Sequence, residues 1–398
     1  MIAVLVLFLF FDVFSGVLRY AFFQLELPFL IYLPQVAMLA VLMFTAFRME
    51  FDKYVVSILI FLVFFTLYGF ITVGKVSQVL FGLWILIPFL YGLILHEHFL
   101  RSIPRLKFIF FALFTIVFVG VALDTFVDLP WSGFSYTFGE TEIEGARKWG
   151  TYGIERVAGF SRASFFAAIQ TLIIGLLIVV SSSGRLRPLV ICLLAGIAIA
   201  LTTTKGVAFV YVLLCVFMLG YSLRPMFSWQ YLIWPFAFST ILIPLTTFIY
   251  HYRLDLQDPV SAFLFVSFED RLIRGWPDAF QLLSTHGNYL LGRGVGGIGT
   301  PQLYFENNLY SPGDNLFVYL FVSYGIISIG GLCLYSLKAC QQDIAVTINR
   351  YFYMIAFSIV VFGLTSNVVE SSMLSLFAGL SVAHFFKGGA SNNDTISS

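Results

Sequence analysis

Arg271 and Arg274 lie three residues apart where a polar segment of the chain approaches an apolar one. On a helix, residues at this spacing share one face. A guanidinium group at the depth of lipid phosphates is suited to bind a diphosphate. Trp276 follows and supplies a ring that could stack on a sugar or anchor at the membrane interface. The alternative is pairing with the acids nearby in sequence, which are Glu269, Asp270 and Asp278.

A short hairpin places a further cation between two apolar stretches. Thr202–Gly206 separates the two stretches, and Lys205 within it has no acidic neighbour in sequence. Such a lysine either serves a bound anion or extends its ammonium group to the interface to keep it hydrated. Both interpretations place the charge at the membrane surface.

Asp314 and Asn315 lead directly into a long apolar stretch. Side chains of these types cap helix N-termini, and one such cap contributes about 1 kcal/mol. The same position also presents the carboxylate of Asp314 at the membrane surface. The sequence alone leaves both interpretations open.

Neither the glycine-rich segment nor the cysteines indicate a nucleotide or metal site. Leu291–Gly299 has no predicted strand before it and no GK[ST] sequence after it, so we expect a flexible turn. The cysteines lie in or beside apolar stretches, which favours buried packing over disulfides or zinc. They are Cys192, Cys215, Cys333 and Cys340.

The elements that must position these residues are apolar. The chain of 398 residues is 60% hydrophobic and 11% charged, with a mean hydropathy of +0.93. A soluble domain carries about 25% charged residues, so lipid is the solvent for most of this chain. The net charge of +1 disfavours nucleic-acid binding as the main activity.

The apolar runs predict an all-α polytopic membrane protein with about twelve transmembrane helices. We assign 1–387 to one membrane domain and 388–398 to a disordered cytoplasmic tail. The first span lacks a basic flank and a cleavage site, so we expect it to be retained. The predicted spans are Met1–Arg19, Leu27–Phe47, Tyr54–Gly74, Val76–Leu95, Phe108–Leu123, Ala163–Gly184, Pro188–Thr204, Gly206–Leu223, Ser228–Tyr250, Asn315–Leu337, Tyr351–Val369 and Ser371–Phe386.

Two polar segments interrupt this pattern, at 124–160 and at 251–314, the second being the larger. Both follow an odd-numbered span, so both lie on the same side of the membrane. Basic residues follow every even-numbered span and are fewer in the short gaps of the other side. The positive-inside rule therefore predicts cytoplasmic termini and two outward, periplasmic segments.

The distribution of charge separates the classes of membrane protein. An ion-coupled carrier keeps ionisable residues at mid-depth. Here the acidic candidates within spans are Asp12, expected to be a structural partner of a neighbouring helix, and Glu370, expected at a span end. A coupled carrier is therefore disfavoured, and we expect the chemistry in the outward segments.

The order of these features resembles the bacterial O-antigen polymerase and O-antigen ligase superfamily. The resemblance covers most of residues 150–335 and implies a GT-C-like glycosyltransferase architecture in the bacterial inner membrane. The matching segments, in chain order, are Arg156–Arg162, Thr202–Gly206, Arg271–Trp276, Gly292–Gly294, and Asp314-Asn315 ahead of Gly325-Ile326.

Two positions depart from the pattern of that superfamily. Its members often have arginine where this chain has Lys205, which keeps the charge but loses bidentate geometry. The ligase branch has histidine where this chain has Asp314. The second departure points to the Wzy-type polymerases of O-antigen, capsule or exopolysaccharide, and away from the ligases and their histidine-centred mechanism.

The resemblance implies that repeat units carried on undecaprenyl diphosphate are joined at the outer face of the membrane. A sugar hydroxyl attacks the anomeric carbon of a lipid-linked glycan, and undecaprenyl diphosphate leaves. No nucleotide sugar, metal or other cofactor is expected. The expected partners are the lipid-linked glycans, membrane lipids and a separate co-polymerase that controls chain length.

The roles implied for individual residues follow from that reaction. The leaving diphosphate needs cations, and a carboxylate must accept the acceptor proton. Asp314 is the first candidate for that carboxylate and Glu306 the second. The expected diphosphate clamp is Arg271, Arg274, Lys205 and Arg162, with Arg156 in reserve. Further substrate contacts are expected from Arg293, Trp276, Tyr304 and Asn315.

Three alternatives remain at the level of sequence. A flippase or exporter of lipid-linked glycans would also need a cationic, aromatic outward cavity, but with cations deep inside the bundle. An O-antigen ligase would transfer the glycan to the lipid A core. A scaffold protein of a polysaccharide complex would tolerate removal of its outward charges.

Overall fold

The computed structural model describes residues 1–48, 51–138, 141–151, 154–182, 184, 186–224, 228–253 and 258–387. The chain is all-α and 76% helical, which confirms the expected fold class at that level. The tail expected to be disordered, 388–398, lies outside the described residues.

The first half of the chain forms the N-terminal helices and two small hairpins. The helices are α1 (Ile2–Val13), α2 (Ser15–Gln24), α3 (Leu33–Phe47), α4 (Lys53–Val73), α5 (Val76–Phe126), α6 (Ser164–Ser181) and α7 (Leu186–Leu201). The antiparallel strand pairs, both between α5 and α6, are β1 (Ser135–Phe138) with β2 (Thr141–Glu144), and β3 (Gly150–Thr151) with β4 (Ile154–Glu155).

The described residues of the second half form helices joined by turns, without a named strand. Its helices are α8 (Lys205–Leu223), α9 (Ile233–Thr246), α10 (Pro259–Asp270), α11 (Trp276–His286), α12 (Thr300–Phe305), α13 (Leu316–Tyr324), α14 (Ile327–Cys340), α15 (Thr347–Gly363) and α16 (Ser372–Lys387). The polar segment predicted at 251–314 is therefore largely helical and not an open loop. Short 3₁₀ turns lie at Pro28–Tyr32, Trp229–Leu232 and Asn307–Leu309.

Among the described residues, five helices are long and apolar enough to cross a membrane. They are Pro28–Phe47, which joins a 3₁₀ turn to α3, and α4, α5, α6 and α8. The pair α1 and α2, bent by 83°, is a sixth candidate, and α7, α14, α15 and α16 are shorter apolar helices. These helices indicate a membrane protein, whereas the figure of about twelve crossings stays a prediction.

The 51-residue helix α5 contains two predicted spans without a break between them. A straight helix of this length would measure about 75 Å, more than twice the hydrocarbon core. At one end, Lys75 Nζ donates to the carbonyl oxygen of Phe305, and at the other Asp124 accepts two backbone N–H groups from the segment after β4. Arg162 and Tyr304, close to these contacts, interact electrostatically. The helix is therefore bent so that both ends reach one face of the bundle.

We call that face the loop face, formed by the described residues of 127–163 and 247–315. The middle of α5 lies at the opposite face, where Lys387 of α16 pairs with Glu97 at 3.7 Å and with Asp52 at 2.6 Å. Asp52 also caps α4 by accepting N–H groups of its first turn, which is a typical N-cap arrangement.

The core surrounds α15, in which every residue from Tyr351 to Gly363 is buried. The helices α6 and α16 pack beside it, whereas α3, α4 and α8 leave apolar faces exposed. Asp12 is held by Gln170 of α6, whose Nε2 donates to a carboxylate oxygen at 2.8 Å. This contact confirms the expectation that Asp12 is a structural partner of a neighbouring helix.

The glycine-rich segment 287–299 inserts between α4, α5 and α13. Val295 N donates to the carbonyl oxygen of Phe65 at 3.1 Å, inside the bundle. Gly294 has a φ of +80°, and a β-carbon there would overlap the backbone of Gly69. The expected flexible turn is therefore wrong, because the glycines permit close backbone approach and left-handed geometry.

This insertion also divides the predicted span Asn315–Leu337. Gly325 separates α13 from α14 with a φ of +64°, and a β-carbon there would overlap the carbonyl of Leu290. Ile326 N donates to the carbonyl oxygen of Tyr289 at 3.0 Å. The inserted segment therefore satisfies backbone groups that the interrupted helix would leave unpaired.

Candidate functional site

Arg271 begins a π-helical turn, Arg271–Gly275, between α10 and α11. Pro277 follows this turn, and a proline interrupts a regular helix because it lacks an N–H group and crowds the carbonyl four residues earlier. Such turns occur frequently at functional sites. The local sequence thus gives a physical reason for the distorted helix that carries the arginine.

The guanidinium group of Arg271 faces the carboxylate of Asp314 across the loop face. Arg271 Nη2 lies 3.2 Å from Asp314 Oδ2, and the side chains are 20% and 40% exposed. Arg271 Nη1 donates to the carbonyl oxygen of Ser267 at 2.7 Å. Arg271 Nε is buried and has no acceptor among the described residues. The structure thus pairs Arg271, the first residue expected to bind the diphosphate, with Asp314, the first candidate for the proton acceptor.

Arg274 takes a different partner from Arg271. Its Nε donates to Asp270 at 2.7 Å, and both side chains are more than half exposed. The alternative of a local ion pair is therefore observed for Arg274. An exposed pair one helical turn apart contributes little binding or stability, about 0.3–0.5 kcal/mol.

Lys205 and Arg156 extend the positive charge around Arg271. Lys205 Nζ donates to the carbonyl oxygen of Phe263 in α10 and lies 4.0 Å from the centre of that ring. Arg156 interacts electrostatically with Lys205. Burial and then the charge of Arg271 lower the pKa of Arg156. We call Arg156, Lys205, Arg271 and Asp314 the 271 cluster.

The hairpin that carries Lys205 is conformationally strained. Thr203, which is β-branched, has a φ of +52°, and its buried hydroxyl finds no hydrogen-bond partner among the described residues. β-Branched residues rarely adopt this conformation, and such strain is concentrated at functional sites. The turn between α7 and α8 begins at Thr202 as predicted but ends at Thr204, because Lys205 and Gly206 are the first two residues of α8.

Arg162 belongs to a second group of cations on the loop face. Its Nε donates to the carbonyl oxygen of Glu144 at 3.2 Å, and its backbone N–H donates to the hydroxyl of Ser15. Burial, followed by the charges of Arg19 and Arg147, lowers the pKa of Arg162 to about 9. The structure therefore pairs Arg162 with residues of the N-terminal helices and β2, and not directly with Arg271.

Tyr310 links these two groups electrostatically. Burial raises the pKa of this phenol, the nearby charges of Glu370 and Asp314 raise it further, and the charge of Arg147 lowers it. The ring is 40% exposed. Tyr310 is therefore within electrostatic range of both Arg147 in the first polar segment and Asp314 in the 271 cluster, a position that sequence reasoning did not single out.

Arg293 and Glu306 form a buried pair that the sequence had placed in the substrate site. Arg293 is 1% exposed and Glu306 14%, and two N–O contacts of 3.0 and 3.1 Å join them. Arg293 also donates to the carbonyl oxygens of His286 and Gly297. Burial opposes ionisation of Glu306, but Arg293 outweighs it and lowers the carboxyl pKa. The structure therefore places Arg293 and Glu306 in a buried pair that holds the fold, and not at an open substrate site.

Trp276 and Asn315 are likewise structural. Trp276 is fully buried, with Phe268 edge-on at 5.7 Å, so the structure does not present its ring for stacking on a sugar. Asn315 caps α13 by accepting the N–H of Val318 at 3.0 Å, and its amide donates inside the bundle. The cap interpretation is confirmed for Asn315. Tyr304 is 36% exposed, and its ring packs edge-on against Phe81 with the centroids 5.6 Å apart.

Glu370 is a further carboxylate at this face. It accepts the backbone N–H of Thr300 at 2.7 Å and the Thr300 hydroxyl at 2.6 Å. Burial, together with the charge of Asp314, raises its pKa to about 7. Its position at the end of a span was visible in sequence, but its proximity to Asp314 depends on contacts across 56 residues of chain, which sequence patterns do not encode.

The described residues contain no group of three or more His, Cys, Asp or Glu side chains that could hold a metal ion. Comparison with models of known protein families, with curated proteins and with solved structures finds no match. The molecule is therefore defined by its own fold and site, an all-α membrane protein with a cationic cluster beside a carboxylate.

Proposed function

We propose that this chain is a membrane-embedded glycosyltransferase that polymerises oligosaccharide repeat units linked to undecaprenyl diphosphate. The observation that carries the proposal is the 271 cluster at the loop face of an apolar helix bundle. Arg271 there keeps one buried N–H group without an acceptor among the described residues. A cationic site beside a carboxylate, at the surface of a membrane domain, suits a diphosphate leaving group and a hydroxyl nucleophile.

In the proposed reaction, the acceptor hydroxyl forms a bond to the anomeric carbon while the bond from that carbon to the diphosphate oxygen breaks. The hydroxyl proton passes to Asp314 and then to water. The charge that develops on undecaprenyl diphosphate is stabilised by Arg271, Arg156 and Lys205. Because Arg271 contacts Asp314 before substrate binds, a bound diphosphate would compete for the guanidinium group and release the carboxylate for proton transfer.

The same proposal includes the arrangement in the cell. About twelve crossings of the bacterial inner membrane would place both termini in the cytoplasm and the loop face in the periplasm. The bundle would follow the GT-C-like architecture of the resembled superfamily. A chain-length-regulating co-polymerase would be the protein partner, and Tyr304 would offer its partly exposed ring to a sugar face.

The test is polymerisation by purified protein of a synthetic repeat unit on undecaprenyl diphosphate. Arg271→Ala should reduce the initial rate by about 100-fold or more, the range found when one charge-stabilising donor is removed. Arg274→Ala is the matched control, because this arginine lies on the same turn but pairs only with Asp270 among the described residues. Its rate should stay within about threefold of the unaltered protein.

The products distinguish the competing functions. A ladder of polymers supports the proposal, whereas transfer only to an added lipid A core acceptor would establish a ligase. Absence of any transfer, with lipid-linked units moved across vesicle membranes, would establish a flippase. Equal rates for Arg271→Ala and Arg274→Ala would contradict the assigned role of the 271 cluster.

A further inference from the structure

An apolar cavity of about 340 Å³ lies within the helix bundle. Its walls come from α4, α5, α13, α14, α15 and α16, with Leu62, Leu86, Leu320 and Ala378 among the lining residues. Pockets that bind small molecules have volumes of about 300–1,000 Å³. The cavity is therefore large enough to bind a segment of a ligand, and its walls suit a hydrocarbon.

The cavity follows the axes of two helices, α14 and α16. Its lining begins at Leu316, the first residue of α13, and continues to Tyr335 in α14. Within α14 the lining extends from Ile327 to Tyr335, a rise of about 12 Å, and within α16 it extends from Ser375 to Val382. A cavity of this extent holds one segment of an extended chain.

One side of the cavity opens laterally between transmembrane elements. Ile327 of α14 lines it and is 46% exposed, and Gly331, one turn further along, lines it and is also exposed. Ile58 and Phe61 of α4 line it and are half-buried. A chain dissolved in the membrane could enter through this side without crossing water.

The end of the cavity nearest the loop face adjoins the candidate site. Leu316 directly follows Asn315 and lies two residues beyond Asp314, and Val369 directly precedes Glu370. A ligand with its chain in the cavity would therefore place its head group beside the 271 cluster. The juxtaposition matches a lipid with an anionic head.

We propose that this cavity binds the polyisoprenoid tail of a diphosphate-linked lipid, with the diphosphate at the 271 cluster. This inference rests on the proposed function for the identity of the head group. Because the membrane is itself apolar, selectivity must come from the fit of the branched chain and from the anchored diphosphate, and not from removal of hydrocarbon from water. A phospholipid acyl chain is the competing occupant.

The chain offers a matched pair of variants, Gly331→Leu and Gly330→Leu. Neither glycine has an atom within 4 Å of the position that a β-carbon would occupy, so both tolerate a side chain. Both changes remove a glycine from the same helix, which favours helix formation equally. Gly331 lines the cavity and Gly330 does not line it, so only the first change fills the proposed site.

The experiment uses the full-length protein in nanodiscs and decaprenyl diphosphate with a diazirine in its tail. After irradiation, mass spectrometry should find label on α13, α14 or α16. Gly331→Leu should reduce that labelling by about tenfold or more, the effect of overfilling a packed site. Gly330→Leu should leave it unchanged. Excess undecaprenyl diphosphate should displace the probe, and excess phosphatidylethanolamine should not.

The outcomes separate this inference from the proposed function. Label on other helices, unchanged label in Gly331→Leu, or equal displacement by phosphatidylethanolamine overturns the tail site even if the protein makes polymer. The protein could also show the expected cavity labelling and yet make no polymer. That result would support the tail site and contradict the proposed polymerase function. A loss of label in both glycine variants would show that substitution in α14 disturbs the helix itself. It would overturn the assignment of the cavity as the tail site.

Discussion

Two arginine–carboxylate pairs lie in the same polar segment and differ in what surrounds them. Arg293 and Glu306 are 1% and 14% exposed, whereas Arg271 and Asp314 are 20% and 40% exposed. Arg293 uses Nε, Nη1 and Nη2 for contacts within the protein. Arg271 retains a buried Nε without an acceptor among the described residues. The chemical types are alike, but only the second pair has capacity left for a ligand.

This difference teaches how to separate structural from functional charge in a membrane domain. A buried pair is tolerated when further hydrogen bonds satisfy both partners, and it then holds neighbouring segments in register. Arg293 does this for the inserted segment 287–299. A pair that stays partly hydrated loses less when a substrate replaces one partner. Burial and hydrogen-bond donors without an acceptor therefore separate structural from functional charged residues better than residue type does.

The largest expected effect is on the buried pair. Arg293→Met should destabilise the fold by about 3–5 kcal/mol, because it leaves Glu306 as an uncompensated buried charge. Arg271→Met, the matched change in the other pair, should cost at most about 1 kcal/mol. The measurement is the fraction of monodisperse protein left after heating in detergent. Equal losses of monodisperse protein in the two variants would contradict the distinction between a structural and a functional pair.

The next effect is on catalysis by the partly exposed pair. Asp314→Asn keeps the side-chain size but removes the proton acceptor, so the polymerisation rate should fall by about 10²–10⁴-fold. Asn315→Ala, one residue further along, should instead lose about 1 kcal/mol of stability with its helix cap. Rates and melting temperatures of both variants check this. A normal rate in Asp314→Asn would reduce Asp314 to an ion-pair partner.

The smallest expected effect is on the pH dependence of stability, and it concerns Glu370. This carboxylate is buried and has no arginine contact in the described part of the chain. Glu370 has a pKa raised from 4.5 to about 7, so ionisation in the folded state is unfavourable. Its contribution to stability should fall by up to about 3 kcal/mol as pH rises from about 4.5 to 7, and then level off. Glu370→Gln should remove this dependence, as thermal unfolding at a series of pH values will show.

In the same experiment, the contribution of Glu306 to stability should change with pH in the opposite direction to that of Glu370. Arg293 lowers its pKa below 4.5, so its contribution is present above that pH and is lost as the pH falls through the lowered value. The unaltered protein should therefore lose stability from Glu306 in acid and from Glu370 towards neutral pH. A flat difference between Glu370→Gln and the unaltered protein over pH 4.5–7 would refute the burial argument.

The sequence predicted the helical class, a turn that begins at Thr202 and the cap at Asn315, because each depends on local composition or on one short pattern. It did not separate Arg271 from Arg293, since both are arginines in one polar segment and only tertiary contacts distinguish their burial. The insertion of 287–299 was missed for a related reason. Alternating glycines permit a flexible turn or close packing against helices, and partners such as Gly69 are remote in sequence.

The uninterrupted helix α5 has a consequence for how this molecule can vary in evolution. A connecting loop absorbs an added or deleted residue, but in a helix one extra residue turns everything beyond it by about 100° and shifts it by about 1.5 Å. Such a change near the middle of α5 would rotate Asp124 away from the backbone it holds while leaving Lys75 in place. We expect homologues to conserve the length of this helix more strictly than its residues.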